Sequence, residues 1–423
     1  MEYYAHKTND RKQTLYDHLK GTAEMCRDFS IDGLKDAAYF IGDKHDIGKY
    51  AEDFQDRLLN ESNKKYEHSL CGAIELGKLK LSKYQNFIRP MLQYCIAGHH
   101  TGLPDGGTSM DSAEDITLNA RLKREKYYIG KSDYSAYKNE IEFDFPDIKF
   151  VIDEIMKADT SQNKIELYAF FTKYLFSCLT DADFLDTERF CAPEINRKIV
   201  SDFDSVISAV DSKISSFKHD NELRKARKRL QEQAIVNSKI SEKINILNMP
   251  TGSGKTLCSL KITLERLKET GKKRIIYVIP YTSIIEQTAN TFSDIFGKYM
   301  EILQHHSNFC FDDADKEDDT IEKLKKSTEN WDAPLIITTS VQFFQSLYHY
   351  KGSGLRKLHN LADAIIIFDE VHMLPLKYLQ PCLRGIGHIT KYLDSEVIFL
   401  SATMPDYSEL MKKYIPDIKV HEL

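Results

Sequence analysis

Five short β-branched runs, the first of them ending in a glycine-rich loop, constrain this chain more than any other feature. INILN (244–248), RIIYVI (274–279), PLIITT (334–339), AIIIF (364–368) and EVIFL (396–400) are separated by stretches of helical spacing. Uninterrupted apolar strands alternating with helices are buried on both faces, the pattern of a mostly parallel α/β sheet. Directly after the first run comes Met249-Pro-Thr-Gly-Ser-Gly-Lys-Thr256, and then the apolar helix LCSLKITLERL. A strand, a glycine-rich loop and a helix start together make a phosphate cradle. Gly252, Ser253 and Gly254 let the backbone approach phosphate oxygens, and the helix start supplies N–H donors and a positive dipole. Lys255 would reach the β and γ phosphates, and Thr256 would offer its hydroxyl to Mg²⁺. Met249 stands where this pattern usually has glycine or alanine.

A second element lies 114 residues beyond Lys255, where the strand AIIIF runs into Asp369-Glu-Val-His372. Asp369 at a strand end can hold the magnesium shell, and Glu370 can polarise an attacking water. A third element, Ser401-Ala-Thr403, ends the next strand and can couple the nucleotide site to a bound strand. ATP with magnesium is the cofactor these motifs predict. In this order they resemble the first RecA-like lobe of superfamily 2 helicases. That resemblance implies that Pro280-Tyr-Thr-Ser283 and Thr338-Thr-Ser340 touch a single-strand backbone; from the residues alone each also reads as a strand-to-helix cap. Helicases of this class complete their ATP site with arginines from a second lobe. Only 20 residues follow Thr403, so the lobe is expected to bind nucleotide without turning it over, the second lobe being lost to truncation or an early stop, or carried on another chain.

The first half has a different character. From 1 to about 215 the apolar residues recur at helical spacing, with breaks at Gly102–Gly107 and near Pro146, which predicts an all-α domain. Six of the 14 histidines (6, 18, 45, 68, 99, 100) fall within the first 100 residues, and none between 101 and 218. Lys44-His45-Asp46-Ile-Gly-Lys49 is the central motif. An adjacent His-Asp pair can bridge two cations, and Lys49 can face a phosphate oxygen. His18, His68 and His99-His100 each sit on or beside a different helix, so they converge only if the helices bundle. Downstream, Asp181 and Asp183 lie on one amphipathic helix, TDADFLD. Imidazoles and carboxylates without thiolate favour Mn, Fe, Co, Ni or Zn. Two such ions would activate water and clamp an in-line phosphoryl displacement.

This half resembles the HD phosphohydrolase superfamily, and its doubled histidine suits the dinuclear members. The resemblance implies metal contacts from His18, His45, Asp46, His68, His99, His100 and Asp183, with Asp181 the alternative to Asp183. It also implies a bridging role for Asp46 and a phosphate-binding role for Lys49. His6, His305, His306, His349, His359 and His388 read as residues without a role. NELRKARKRLQEQ (221–233) carries five basic residues and reads as a solvated linker helix. The expected organisation is therefore an HD-type bundle over 1–215, a linker over 216–240 and a RecA-like lobe over 241–423.

An HD domain followed by a superfamily 2 helicase lobe resembles the helicase–nuclease effectors of type I CRISPR systems. That family implies cleavage of single-stranded DNA by the HD domain, fed by ATP-driven 3′ to 5′ translocation. It further implies recruitment by the RNA-guided surveillance complex (Cascade) once an R-loop opens. Two rival readings stand beside it: a nucleotide phosphohydrolase, and a docking form that binds the surveillance complex without cutting. Lysine plus arginine (58) against aspartate plus glutamate (64) leaves a net charge of −6, so any nucleic-acid binding must come from local patches. No membrane span or signal peptide is evident. The eight cysteines, none in a C-x-x-C pair, read as buried thiols of a reducing cytoplasm.

Overall fold

The computed structural model describes residues 2–60, 66–112, 114–123, 133–193, 201–218, 220–239, 242–306, 329–402 and 407–423. Their contacts fall into two compact units, Met1–Ile195 with Tyr348–His359, and Asn196–Leu347 with Asn360–Leu423.

The first unit is helical. It contains α1 (Leu15–Phe29), α2 (Lys35–Lys44), α3 (Glu52–Asn60), α4 (Cys71–Lys78), α5 (Lys83–Gly98), α6 (Leu118–Lys123), α7 (Lys149–Lys157) and α8 (Ser161–Cys191). Thr14 caps α1 by accepting from the Asp17 amide, and the helix buries Leu15, His18, Leu19, Thr22, Ala23, Met25 and Cys26 along one stripe. That stripe packs on α2 and α8. A capping box between Ser82 and Gln85 starts α5. The helices break where expected, around Gly102–Gly107 and Pro146. The unit also holds a small antiparallel hairpin, β1 (Tyr4–Lys7) with β2 (Lys12–Thr14), which the helical periodicity did not indicate.

The second unit is built on a seven-stranded sheet. Its strands are β3 (Ile244–Asn248), β4 (Arg274–Ile279), β5 (Ile302–His305), β6 (Leu335–Thr339), β7 (Ala364–Phe368), β8 (Glu396–Ser401) and β9 (Val420–Glu422). Their order is β5-β6-β4-β7-β8-β3-β9, and every pairing is parallel. The five runs read from the sequence form the five inner strands, each almost wholly buried. The two edge strands are short and partly exposed, too brief and polar to stand out as β-branched runs.

Helices α9 (Phe203–Ser215) and α10 (Glu222–Asn237) belong to this unit, so the division lies some 20 residues before the boundary expected at 215. Val206 and Val210 of α9, and Ala234 of α10, join the core formed with α11 (Lys255–Thr270) and α12 (Thr282–Phe296). Four helices follow among the described residues: α13 (Ser340–Tyr348), α14 (Gly352–Leu355), α15 (Leu379–Tyr392) and α16 (Tyr407–Tyr414). Among the described residues, no helix is long and apolar enough to cross a membrane. Six cysteines there are buried thiols, Cys191 is exposed, and no disulfide forms. The acidic run 312–319 lies outside the described residues.

Candidate metal centre and nucleotide loop

The histidines of the helical unit converge because each rides on a helix end or buried stripe aimed at one point. His18 projects from the packed stripe of α1, His45 ends α2, His68 precedes α4, His99 ends α5, and Asp183 lies in the buried length of α8. Close backbone crossings allow this. A Cβ on Gly72 would stand 2.1 Å from the Lys44 carbonyl oxygen, and one on Gly48 would stand 2.3 Å from that of His68.

Two groups of metal-competent side chains result: Asp46 with His68, His99 and His100, and His18 with His45 and Asp183. Within each group the ligand atoms lie within 4.8 Å of one another. Asp46 faces both. Its Oδ1 is 3.2 Å from His99 Nε2 and 3.6 Å from His68 Nε2, while its Oδ2 is 3.5 Å from His45 Nε2 and 3.7 Å from His18 Nε2. Asp183 Oδ1 is 3.5 Å from both His18 and His45. His68 Nε2 lies 2.9 Å from His100 Nε2, and His100 is exposed, so this side of the site opens to solvent.

A pair of divalent cations fits this donor set. The Nε2 atoms of His18, His45 and His99 and the Oδ1 of Asp46 are buried and make no hydrogen bond, while Asp46 Oδ2 meets the Lys49 ammonium. Four such atoms left facing one point would be costly unless a shared partner satisfies them. Each ring is also oriented from behind, which fixes Nε2 inward. His45 Nδ1 contacts the Gly42 carbonyl, and His99 Nδ1 that of Ile96, both at 2.7 Å. His18 Nδ1 is held at 2.7 Å by Asp186, a residue the sequence reading did not single out. Lys49 Nζ sits 2.6 Å from Asp46 Oδ2.

Burial pushes His68 down to about 3. The His99 charge, followed by burial, takes His100 down to about 4. Both imidazoles are therefore neutral near pH 7, the form that binds metal. Burial opposes charge on His45 too, but Asp46 and Asp183 outweigh it and raise that ring to about 8. Despite its own burial, the cationic Lys49 and His45 hold Asp46 well below the usual carboxylate range.

Asp181 and Asp183 point to different surroundings. Asp183 joins the cluster, whereas Asp181 is fully buried against Arg356, whose Nε donates to it at 2.8 Å, and His359 at 3.4 Å. His6 is not remote from the site, as its ring packs edge-on against His18 at 4.8 Å. Burial pushes it down to about 3, and Thr187 Oγ1 lies 3.2 Å from its Nε2.

In the sheet unit, β3, β8 and β7 are neighbours, so their C-terminal ends bring the glycine loop, Ser401 and Asp369-Glu370 to one edge. Ligands bind at that edge of open parallel sheets. Gly252 and Gly254 adopt positive φ of 72° and 83°, which turns the loop over the start of α11. Lys255 Nζ pairs with Glu370 Oε1 at 2.7 Å, and Tyr277 donates to Asp369 Oδ2 at 3.1 Å. Burial raises the Asp369 carboxyl above its ordinary value. His372 Nδ1 lies 2.8 Å from Ser401 Oγ, joining the second motif to the third; Thr403 falls outside the described residues.

The basic helix α10 is more than a solvated linker. Gln231 donates to the Ser253 carbonyl at 2.6 Å, and Arg224, Arg227 and Lys228 line a cavity of about 320 Å³ with Gly252–Gly254. The sequence showed the charge but not that this helix folds back onto the loop. Thr338 and Thr339 use their hydroxyls within the fold. Thr338 donates to the His305 carbonyl, and Thr339 accepts from the Gln342 amide as a cap does.

Residues 228–410 match the DEAD/DEAH box helicase family. A CRISPR-associated nuclease/helicase Cas3 of Haloferax volcanii is 32% identical over 180 residues, covering 38% of this chain and 19% of that protein. A protein named as a Cas3 nuclease/helicase in Methanocaldococcus jannaschii is 25% identical over 402 residues, covering 86% of this chain and 53% of its own length. The resemblance is to the Cas3 family of CRISPR-associated nuclease/helicases. A crystal structure of T. fusca Cas3 with AMPPNP shares the fold, with a TM-score of 0.58 at 15% identity over 97% of this chain and 51% of the other. The chain thus spans about half the length of the Cas3 proteins it matches along most of its own.

Proposed function

We propose that the helical unit is an HD-type nuclease that hydrolyses phosphodiester bonds of single-stranded DNA with two divalent transition-metal ions. The sheet unit, on the same reading, binds ATP with magnesium as the first lobe of a helicase. The likeness to Cas3 along the chain supports placing both activities in CRISPR defence, with Cascade as the partner that delivers the displaced strand, and in the cytoplasm. The observation that carries the reading is Asp46, a carboxylate buried between two ligand groups with one oxygen turned to each.

Bound there, the cations would supply activation of the attacking water and neutralisation of charge on the scissile phosphate. His18, His45 and Asp183 would hold one, His68, His99 and His100 the other, and Asp46 would bridge them. Lys49, buried and already beside Asp46, would place its ammonium against a phosphate oxygen. The open side at His100 gives the backbone access, and contact through backbone charge makes cutting sequence-tolerant and salt-sensitive. Lys255 and Gly252–Thr256 would cradle the ATP phosphates, Asp369 would hold the magnesium shell, and Glu370 would orient the attacking water when a second lobe completes the site.

The test is cutting of circular single-stranded DNA with Mn²⁺, Ni²⁺ or Mg²⁺, with and without EDTA. His45→Ala combined with Asp46→Ala is expected to abolish cutting and spare ATP binding; retained nicking would refute the assignment. Phosphate release from free nucleotides faster than from DNA would favour the nucleotide phosphohydrolase instead.

A further inference from the structure

Helix α8 carries Asp183 between two residues that one guanidinium grips. Arg356 donates through Nε to Asp181 Oδ1 at 2.8 Å, and its Cζ lies 3.8 Å from the centre of the Phe184 ring. Asp181 and Phe184 flank Asp183 in the sequence on a single helical turn. The rest of the segment is anchored on the same helix. The His359 amide donates to Ser177 Oγ at 3.0 Å, His359 Nε2 stands 3.4 Å from Asp181 Oδ2, and Gly352 abuts Thr180. Asp181 is wholly buried and Arg356 nearly so. Residues 348–359 belong to the helical unit, although in sequence they lie between strands β6 and β7 of the other.

Resting on the metal reading above, we propose that Arg356 is a positioning residue for the metal centre, fixing the turn of α8 that aims Asp183 at His18 and His45. A planar guanidinium can do this where an ammonium cannot, because it bonds the carboxylate in plane while stacking on the aromatic face. The Asp183 oxygen must reach two imidazoles at once, both at 3.5 Å, so a small rotation of α8 about its axis would break one contact. The segment 348–359 therefore completes the centre from far downstream, and residues 1–215 alone hold the ligands without the side chain that aims Asp183.

The test uses the full chain, reading Mn²⁺ stoichiometry and affinity by electron paramagnetic resonance, thermal melting, ATP binding and hydrolysis of bis(p-nitrophenyl) phosphate. Arg356→Lys keeps the charge and loses the stack. It is expected to melt near wild type, bind ATP unchanged, and lose about tenfold in affinity for one of two Mn²⁺ ions, the scale of an outer-shell loss. Arg356→Ala removes the cationic partner of the buried Asp181 and also destabilises the fold. Adding Asp181→Asn to Arg356→Ala is expected to recover the melting temperature but not the Mn²⁺ affinity. Recovery of both, or wild-type Mn²⁺ affinity in Arg356→Lys, would show a merely structural role and overturn the proposal. A wild-type chain that binds no Mn²⁺ would instead overturn the metal reading beneath it.

Discussion

His18 offers Nε2 to the cluster because Asp186 holds its other nitrogen at 2.7 Å, and Gln13 holds the same Asp186 oxygen at 2.7 Å. Replacing Asp186 by Asn would remove the charge that fixes the ring, without emptying the space. The expected result is a 10- to 100-fold loss of Mn²⁺ affinity with the ligands themselves intact, read by metal titration. Unchanged affinity would mean that His18 is not a ligand. At this scale the sequence was informative about types and spacing but not about partners. The histidines and the HD pair stood out against a histidine-poor background. Asp186, three residues beyond Asp183 and on the same helical face, was visible as a letter in TDADFLD, yet nothing in one dimension shows which ring lies across from it. The choice between Asp181 and Asp183 was undecidable for a similar reason, since Arg356, the partner that occupies Asp181, lies 175 residues away.

Elements meet at this centre through glycines rather than through large side chains. Gly72 at the start of α4 touches the carbonyl oxygen of Lys44, the last residue of α2 and the neighbour of His45. A methyl group there would stand 2.1 Å from that oxygen, so one helix must move. Gly72→Ala is expected to cost about 1–3 kcal/mol, as overpacking does, and to weaken Mn²⁺ binding together with stability. Thermal melting alongside metal titration checks it, and a neutral substitution would show that the two helices do not pack this closely in solution. The inner strands were legible because burial on both faces demands uninterrupted apolar letters. The edge strands and the β1–β2 hairpin were not, since strands of three or four partly exposed residues need no such letters. Helix α10 was legible as a helix and as basic. Its docking on the phosphate loop was not, because few of its side chains are buried: Ala234 enters the core and Ile235 packs against it.

For the molecule as a whole, the division into two units sets the last expectation. Lys255 and Glu370 form an ion pair at 2.7 Å within the sheet unit, and the histidine cluster draws all its ligands from the helical one. Lys255→Ala removes the ammonium that would contact the β and γ phosphates while leaving the glycine loop and the core beneath it in place. ATP affinity should fall at least about tenfold, the loss of a charge-assisted contact worth about 1.5–3 kcal/mol. Metal-dependent cutting of free single strands should stay within about twofold of wild type, because no ligand of that centre is touched. Nucleotide binding by fluorescence and nicking of circular single-stranded DNA, measured on one preparation, give the two readouts. Loss of both together would mean that the nucleotide loop supports the nuclease chemistry directly. The seven ligands could then no longer be treated as a self-sufficient centre.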